Sequence, residues 1–183
     1  MVAVVVILVV LAVLAIALYN RLVALGVQAD TAWSDIDVQL KRRHDLIPNL
    51  VETVRGYATH ERESFEAVIQ ARTAAVAARG AAQQQRAEQT LAASLGQLFA
   101  LAEAYPELRA VERFNALQHD LGEIEDALQS ARRYYNAVVR DLNTAIAQFP
   151  SSLVAVVCAM RPKEFFELSD ASESVVPRVA FGG

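Results

Sequence analysis

Hydropathy divides the chain into one uninterrupted apolar run and a long amphipathic remainder. Met1 to Leu18 carry no polar side chain; thirteen of the eighteen are Val, Ile or Leu, and four are Ala. As a helix rising about 1.5 Å per residue, the run spans roughly 27 Å, close to the ~30 Å hydrocarbon core of a bilayer. Tyr19, Asn20 and Arg21 follow at the depth where aromatic and cationic residues meet the membrane interface. The pattern predicts a transmembrane anchor over 1–19, which engages the lipid bilayer, and a domain over 20–183. A cleaved signal peptide is the competing reading, since Ala15-Ile16-Ala17 has the small-x-small form of a cleavage site. Such peptides open on a basic stretch, however, and here no Lys or Arg precedes Arg21. The anchor is therefore expected to be retained.

Beyond Ala29 the apolar positions recur at helical spacing. Trp33, Ile36, Leu40, Arg43, Ile47, Leu50, Val54 and Tyr57 alternate by three and four; Phe65 falls one residue out of that register, and Val68 and Ala75 return to it. No strong breaker intervenes, so the anchor is expected to run on as one helix to Gly80, with Gly26 as a flexible point and Arg79 in its last turn. Pro48 has no N–H to give the His44 carbonyl, which predicts a kink there. A second helix, Ala82 to Ala104, presents Leu91, Leu95, Leu98 and Ala102 and ends at Tyr105-Pro106. The third has the most regular seam: Phe114, Leu117, Leu121, Ile124, Leu128, Ala131, Tyr135, Val138, Leu142, Ala145 and Phe149. After Phe149-Pro150, Ser151 or Ser152 is placed to cap a short apolar helix, Leu153 to Met160, stopped by Arg161-Pro162. Val175 to Phe181 reads as extended. The fold class is all-α, an N-terminal transmembrane helix followed by an antiparallel bundle of long helices. The second helix is shorter than the third, leaving an overhang to be covered by the Leu153–Met160 segment with Phe165-Phe166, or by a second copy of the chain.

Charge and chemistry narrow the function. A net charge of −4, with Lys41-Arg42-Arg43-His44 as the main basic cluster, argues against nucleic acid as a partner. The cations all lie C-terminal to the span, which points to a cytoplasmic domain. Cys158 is the single cysteine; in Val156-Val157-Cys158-Ala159 it reads as a small buried hydrophobe, not a nucleophile. His44, His60 and His119 lack the spacing of a metal site, and the chain has neither a phosphate-binding glycine loop nor a nucleophile elbow. No catalytic residue, metal or cofactor is expected. Arg43 is the odd position, a cation on an apolar seam, and with Arg42, His44 and Asp45 it forms the candidate polar site. Either its stem packs and its guanidinium pairs with a carboxylate such as Glu103 or Glu107, or the site receives an acidic group from a partner. Leu153, Val156, Val157, Met160, Phe165 and Phe166 form the candidate partner surface, being more apolar area than so short a segment buries alone. The alternative is a lid over the exposed end of the third helix.

Several of these segments carry a family resemblance. Tyr19-Asn20-Arg21-Leu22-Val23, the stretch from Ala32-Trp33-Ser34-Asp35 through Arg42-Arg43-His44-Asp45-Leu46-Ile47-Pro48-Asn49-Leu50-Val51, Ala104-Tyr105-Pro106-Glu107-Leu108, Ala131-Arg132-Arg133-Tyr134-Tyr135-Asn136, Phe149-Pro150-Ser151 and Pro162-Lys163-Glu164-Phe165-Phe166 resemble the LemA family. The resemblance implies a bacterial single-pass membrane protein with a helical bundle, no assigned catalytic activity and membrane-protein companions. Val156-Val157-Cys158-Ala159-Met160 and the Ala- and Gln-rich turn at 78–85 depart from the family pattern. The expected function is a non-enzymatic, membrane-anchored scaffold or interaction protein of the bacterial envelope. The alternative is a ligand-binding sensor or enzyme centred on Arg43 and His44.

Overall fold

The computed structural model of the chain describes residues 1–58 and 60–167; the 175–181 stretch, expected to be extended, lies outside them. Those residues form six helices: α1 (Val2–Arg55), α2 (Arg62–Ala77), α3 (Ala81–Glu103), α4 (Pro106–Arg109), α5 (Glu112–Ala147) and α6 (Ser151–Val157). The apolar N-terminal half of α1 is long enough to cross a membrane, and none of its most hydropathic window is buried by the rest of the protein. A core helix would be covered. From Leu22 onward, one face of the same helix becomes the spine of the bundle.

The expected helix to Gly80 is instead two helices. Alpha-helical bonding stops at Arg55, where the amides of Gly56, Tyr57 and Ala58 turn back onto the Glu52 and Val54 carbonyls. The one-residue slip at Phe65 marks this break: α2 doubles back and presents Phe65, Val68, Ala71 and Ala75 on a seam of its own. Gly80, at φ +76°, makes the reversal into α3, a left-handed conformation that a Cβ disfavours. Arg79 closes the end of α2 by donating to the Val76 and Ala78 carbonyls. Gly26 and Pro48 both lie inside continuous α1.

Two cores result. The distal core joins five helices: Ile47, Leu50 and Val54 of α1, Phe65 and Val68 of α2, Leu91, Leu95 and Leu98 of α3, Leu108 of α4, and Phe114, Leu117 and Leu121 of α5. The membrane-proximal core is narrower. There Ala29, Ala32, Ile36 and Leu40 of α1 face Leu128, Tyr135, Val138, Val139 and Leu142 of α5. The overhang of α5 is thus paired by α1 and capped from within the chain. Ala155 of α6 packs on Leu22 and Ala145, and Phe166 enters the proximal core. α6 begins at Ser151 without a side-chain cap, the Ser151 hydroxyl donating to the Gln148 carbonyl instead, and it ends at Val157, not Met160.

Candidate functional site

The predicted polar site divides across the surface of α1. Arg43 and His44 are buried, whereas Arg42 and Asp45 are exposed on the other side of the helix. A residue pair cannot share the inner face with both of its flanking neighbours at 100° per residue. Inside, a fully buried carboxylate from α3, Glu88, gathers the polar groups. His44 Nε2 lies 2.7 Å from Glu88 Oε1, and Gln84 Nε2 donates to the same oxygen at 2.9 Å and to the Ala75 carbonyl at 3.1 Å. Arg43 Nη1 stands 3.6 Å from Glu88 Oε2 and 3.2 Å from Oε2 of the half-exposed Glu125. The partners expected for Arg43, Glu103 and Glu107, are not the ones it takes. They lie at the end of α3 and in α4, away from the level of Arg43.

This polar layer connects α1, α2, α3 and α5 at the plane where the distal core gives way to the proximal one. An isolated carboxylate buried there would cost many kcal/mol, so Glu88 requires the cation and the donors around it. Oε2 of Glu88 has no hydrogen bond and depends on Arg43 through charge alone. The layer also repairs the backbone: Arg72 Nε of α2 donates at 2.6 Å to the His44 carbonyl, the acceptor that Pro48 leaves without its helical donor. Glu88, Gln84 and Arg72 were missed in the sequence. Glu88 and Gln84 sit three residues before and seven before Leu91, on the very face that the Leu91–Leu95–Leu98 seam defines, and that phase was the available signal.

A second polar device binds the segment 161–167 to α5. Asn143 takes both backbone groups of Lys163, its Nδ2 donating to the carbonyl and its Oδ1 accepting from the amide, each at 2.9 Å. One heptad earlier, Asn136 does the same for Phe166, at 3.0 and 2.9 Å. Tyr135 donates its hydroxyl to the Glu164 carbonyl at 2.8 Å, and Lys163 pairs with Asp30 of α1. Trp33 meets Tyr135 and Phe166 edge-on, with centroids 5.3 and 5.5 Å away. Burial, with the negative charges of Asp30 and Glu164 nearby, raises the Tyr135 pKa above 10.0.

The candidate partner surface is also divided. Phe166 is wholly buried and Met160 packs beside Leu22, so both belong to the fold. Phe165 is at the edge of exposure, whereas Leu153, Val156 and Val157 are 62%, 80% and 86% exposed. Cys158 is exposed, not buried, because α6 ends at Val157 and turns it outward. His119 sits at the surface 3.4 Å from Glu123. Among the described residues no three His, Cys, Asp or Glu side chains converge on a point that could hold a metal.

The chain is similar to two magnetosome proteins of Paramagnetospirillum magneticum, MamQ 1 and MamQ 2, each 26% identical over 184 residues, covering 86% of this chain and 68% of theirs. It is also similar to magnetosome protein MamQ of Magnetospirillum gryphiswaldense, 25% identical over the same shares. The model of the LemA family matches residues 32–181, which takes in the buried polar layer, α6 and the docked 161–167 segment, and the chain belongs to the LemA family.

Proposed function

We propose that this chain is a non-enzymatic, single-pass membrane scaffold or interaction protein of the bacterial envelope, with a cytoplasmic domain over 20–183. The observation that carries the reading is the continuity of α1, which passes without a break from the apolar run into the centre of the bundle. Such a helix transmits the position and tilt of the domain to the membrane, with no linker to decouple them. Leu153, Val154 and Val157 line one groove with Ala15 and Ile16, which favours retention of the run, since it sets the candidate cleavage segment beside the folded domain. The polar residues of the interior are spent on one another, which favours structure over turnover. The relatives named as magnetosome proteins support work at a cellular compartment.

The alternative, a ligand-binding sensor or enzyme near Arg43 and His44, has one observation in its favour, the Glu88 oxygen without a hydrogen bond. Fractionation and mutation separate the readings. The full chain should stay with membranes through carbonate and leave them in detergent; a mature N-terminus at Leu18 would defeat the anchor. Protease added to intact spheroplasts should spare the domain, and digestion would reverse its sidedness. Arg43→Ala should retain crosslinked membrane-protein partners. Loss of a ligand-induced thermal shift in that variant would favour the sensor instead.

A further inference from the structure

Among the described residues, nothing covers the outer face of α6. Leu153, Val156 and Val157 share one side of the helix, opposite buried Ala155, and Phe149 just before it is 76% exposed. No Asp, Glu, Lys or Arg occurs between Asp141 and Arg161. An exposed, charge-free cluster of this kind on an otherwise well-charged protein calls for a covering surface.

Its position identifies that surface. α6 lies against α1 at the last apolar turn of the span: Leu153, Val154, Val157 and Cys158 line a shallow groove with Ala15, Ile16 and Tyr19. Below it, Val154 and Met160 pack with Leu22 and Leu25. The apolar faces of α6 and of the anchor are therefore one continuous surface, and lipid covering Ala15 and Ile16 also reaches Val157. Arg21 and Arg161, both exposed, follow the two apolar segments where lipid phosphates begin.

We propose that α6, with Phe149, inserts into the interfacial layer of the bilayer that α1 crosses, giving the domain a second membrane contact. The proposal rests on reading residues 2–18 as a membrane span. Short apolar elements of this kind bury their face at the boundary of headgroups and acyl chains. The consequence is geometric. A domain held by α1 alone swings and rotates about the helix, whereas a second contact beside it fixes which face of the bundle is turned to the membrane.

The test uses full-length protein in phosphatidylcholine–phosphatidylglycerol vesicles, with lipids brominated near the top of their acyl chains as the quencher. A fluorophore is attached in turn through V157C, Y19C and Q118C, each in a C158S background. The expected result is quenching at V157C comparable to that at Y19C and several-fold stronger than at Q118C, which lies toward the distal end. Quenching at Y19C with V157C no stronger than Q118C overturns the proposal and leaves the anchor standing. That holds also where V157C copies form disulfide-linked dimers, which would assign the face to a second copy of the chain. No quenching at any site removes the anchor and the proposal together.

Discussion

The distal and proximal halves of the bundle solve the same problem with different means. Distally four long helices and the short α4 surround a core of large side chains, among them Phe65, Leu91, Leu98, Leu108 and Phe114, and each apolar seam meets others across the centre. Proximally α1 and α5 are the only long helices that run alongside each other, with Ala81 at the start of α3 reaching one end of their core. The α1 seam there opens with Ala29 and Ala32, which lets the helices approach closely, and the unfilled flank is closed by Trp33 and Phe166. Two helices cannot enclose a core, so an irregular segment acts as the third wall, and its backbone, unlike a helix, needs hydrogen-bond partners from elsewhere. Asn136 and Asn143 supply them. The distal half is therefore held by packing, with the buried ionic layer at its boundary, and the proximal half by side-chain bonds to a docked irregular segment.

That contrast predicts where the protein is most easily broken. Glu88→Ala should be the most damaging single change, since it leaves Arg43 and His44 buried without their shared carboxylate. Removing one member of a buried ionic set costs about 3–5 kcal/mol, and urea denaturation of the domain should show a loss of that size. A loss under about 1 kcal/mol, the range of exposed pairs, would mean that Glu125 and solvent satisfy Arg43 and that the two halves are not joined through this layer.

Phe166→Ala attacks the other half. Deleting a fully buried Phe costs about 3–5 kcal/mol where the whole fold depends on it, but a docked segment can detach first and limit the loss. The proximal half should therefore report the change locally: hydrogen exchange should accelerate at the Lys163 and Phe166 amides while those of Leu91–Leu98 keep their protection. Equal acceleration in both regions would show one cooperative unit and erase the distinction between the halves.

Legibility in the sequence follows the same division. The α3 and α5 spans were readable nearly to their ends, because Leu91–Leu95–Leu98 and the α5 seam hold a strict phase and are bounded by Pro106 and Pro150. The turn at Gly56 was not, since Gly56-Tyr57-Ala58 has no proline and the seam nearly returns to register across it. Arg43 was recognisable as a cation on an apolar face, yet its partners were not. Periodicity tells which residues face inward, not which helices adjoin, and Glu88 looks like an ordinary surface glutamate until α3 is set beside α1. The roles of Asn136 and Asn143 were likewise hidden, because their partners are backbone groups, which leave no mark on residue identity.

Arg72 and Pro48 offer a finer probe of the joint between the halves. Arg72→Ala should cost about 1 kcal/mol, for leaving the part-buried His44 carbonyl without its donor. Pro48→Ala restores an N–H at the position from which a helix normally serves that carbonyl. The cost of Arg72→Ala should therefore shrink by at least half in a Pro48→Ala background, measured as a double-mutant cycle. Additive effects would show that Arg72 stabilises α2 by some other contact and that the carbonyl has no role in joining the halves.

The smallest effect belongs to the proximal half alone and appears only in alkali. The Tyr135 phenol is desolvated by burial and faces Asp30 and Glu164, so its folded pKa lies above 10.0, the unfolded value. The folded state thus holds the proton more tightly than the unfolded chain. The stability this contributes is present in full below about pH 10 and is lost as pH rises through the folded value. Ionisation would also remove the proton that Tyr135 donates to the Glu164 carbonyl. Denaturation midpoints of the native chain and of Tyr135→Phe should differ by a constant amount from pH 7 to about 9, then converge above about pH 10 as the phenol's contribution disappears. A gap that stayed constant to the alkaline limit would show that Tyr135 titrates alike folded and unfolded. The docked segment would then rest on Asn136, Asn143 and Phe166, without help from the buried phenol.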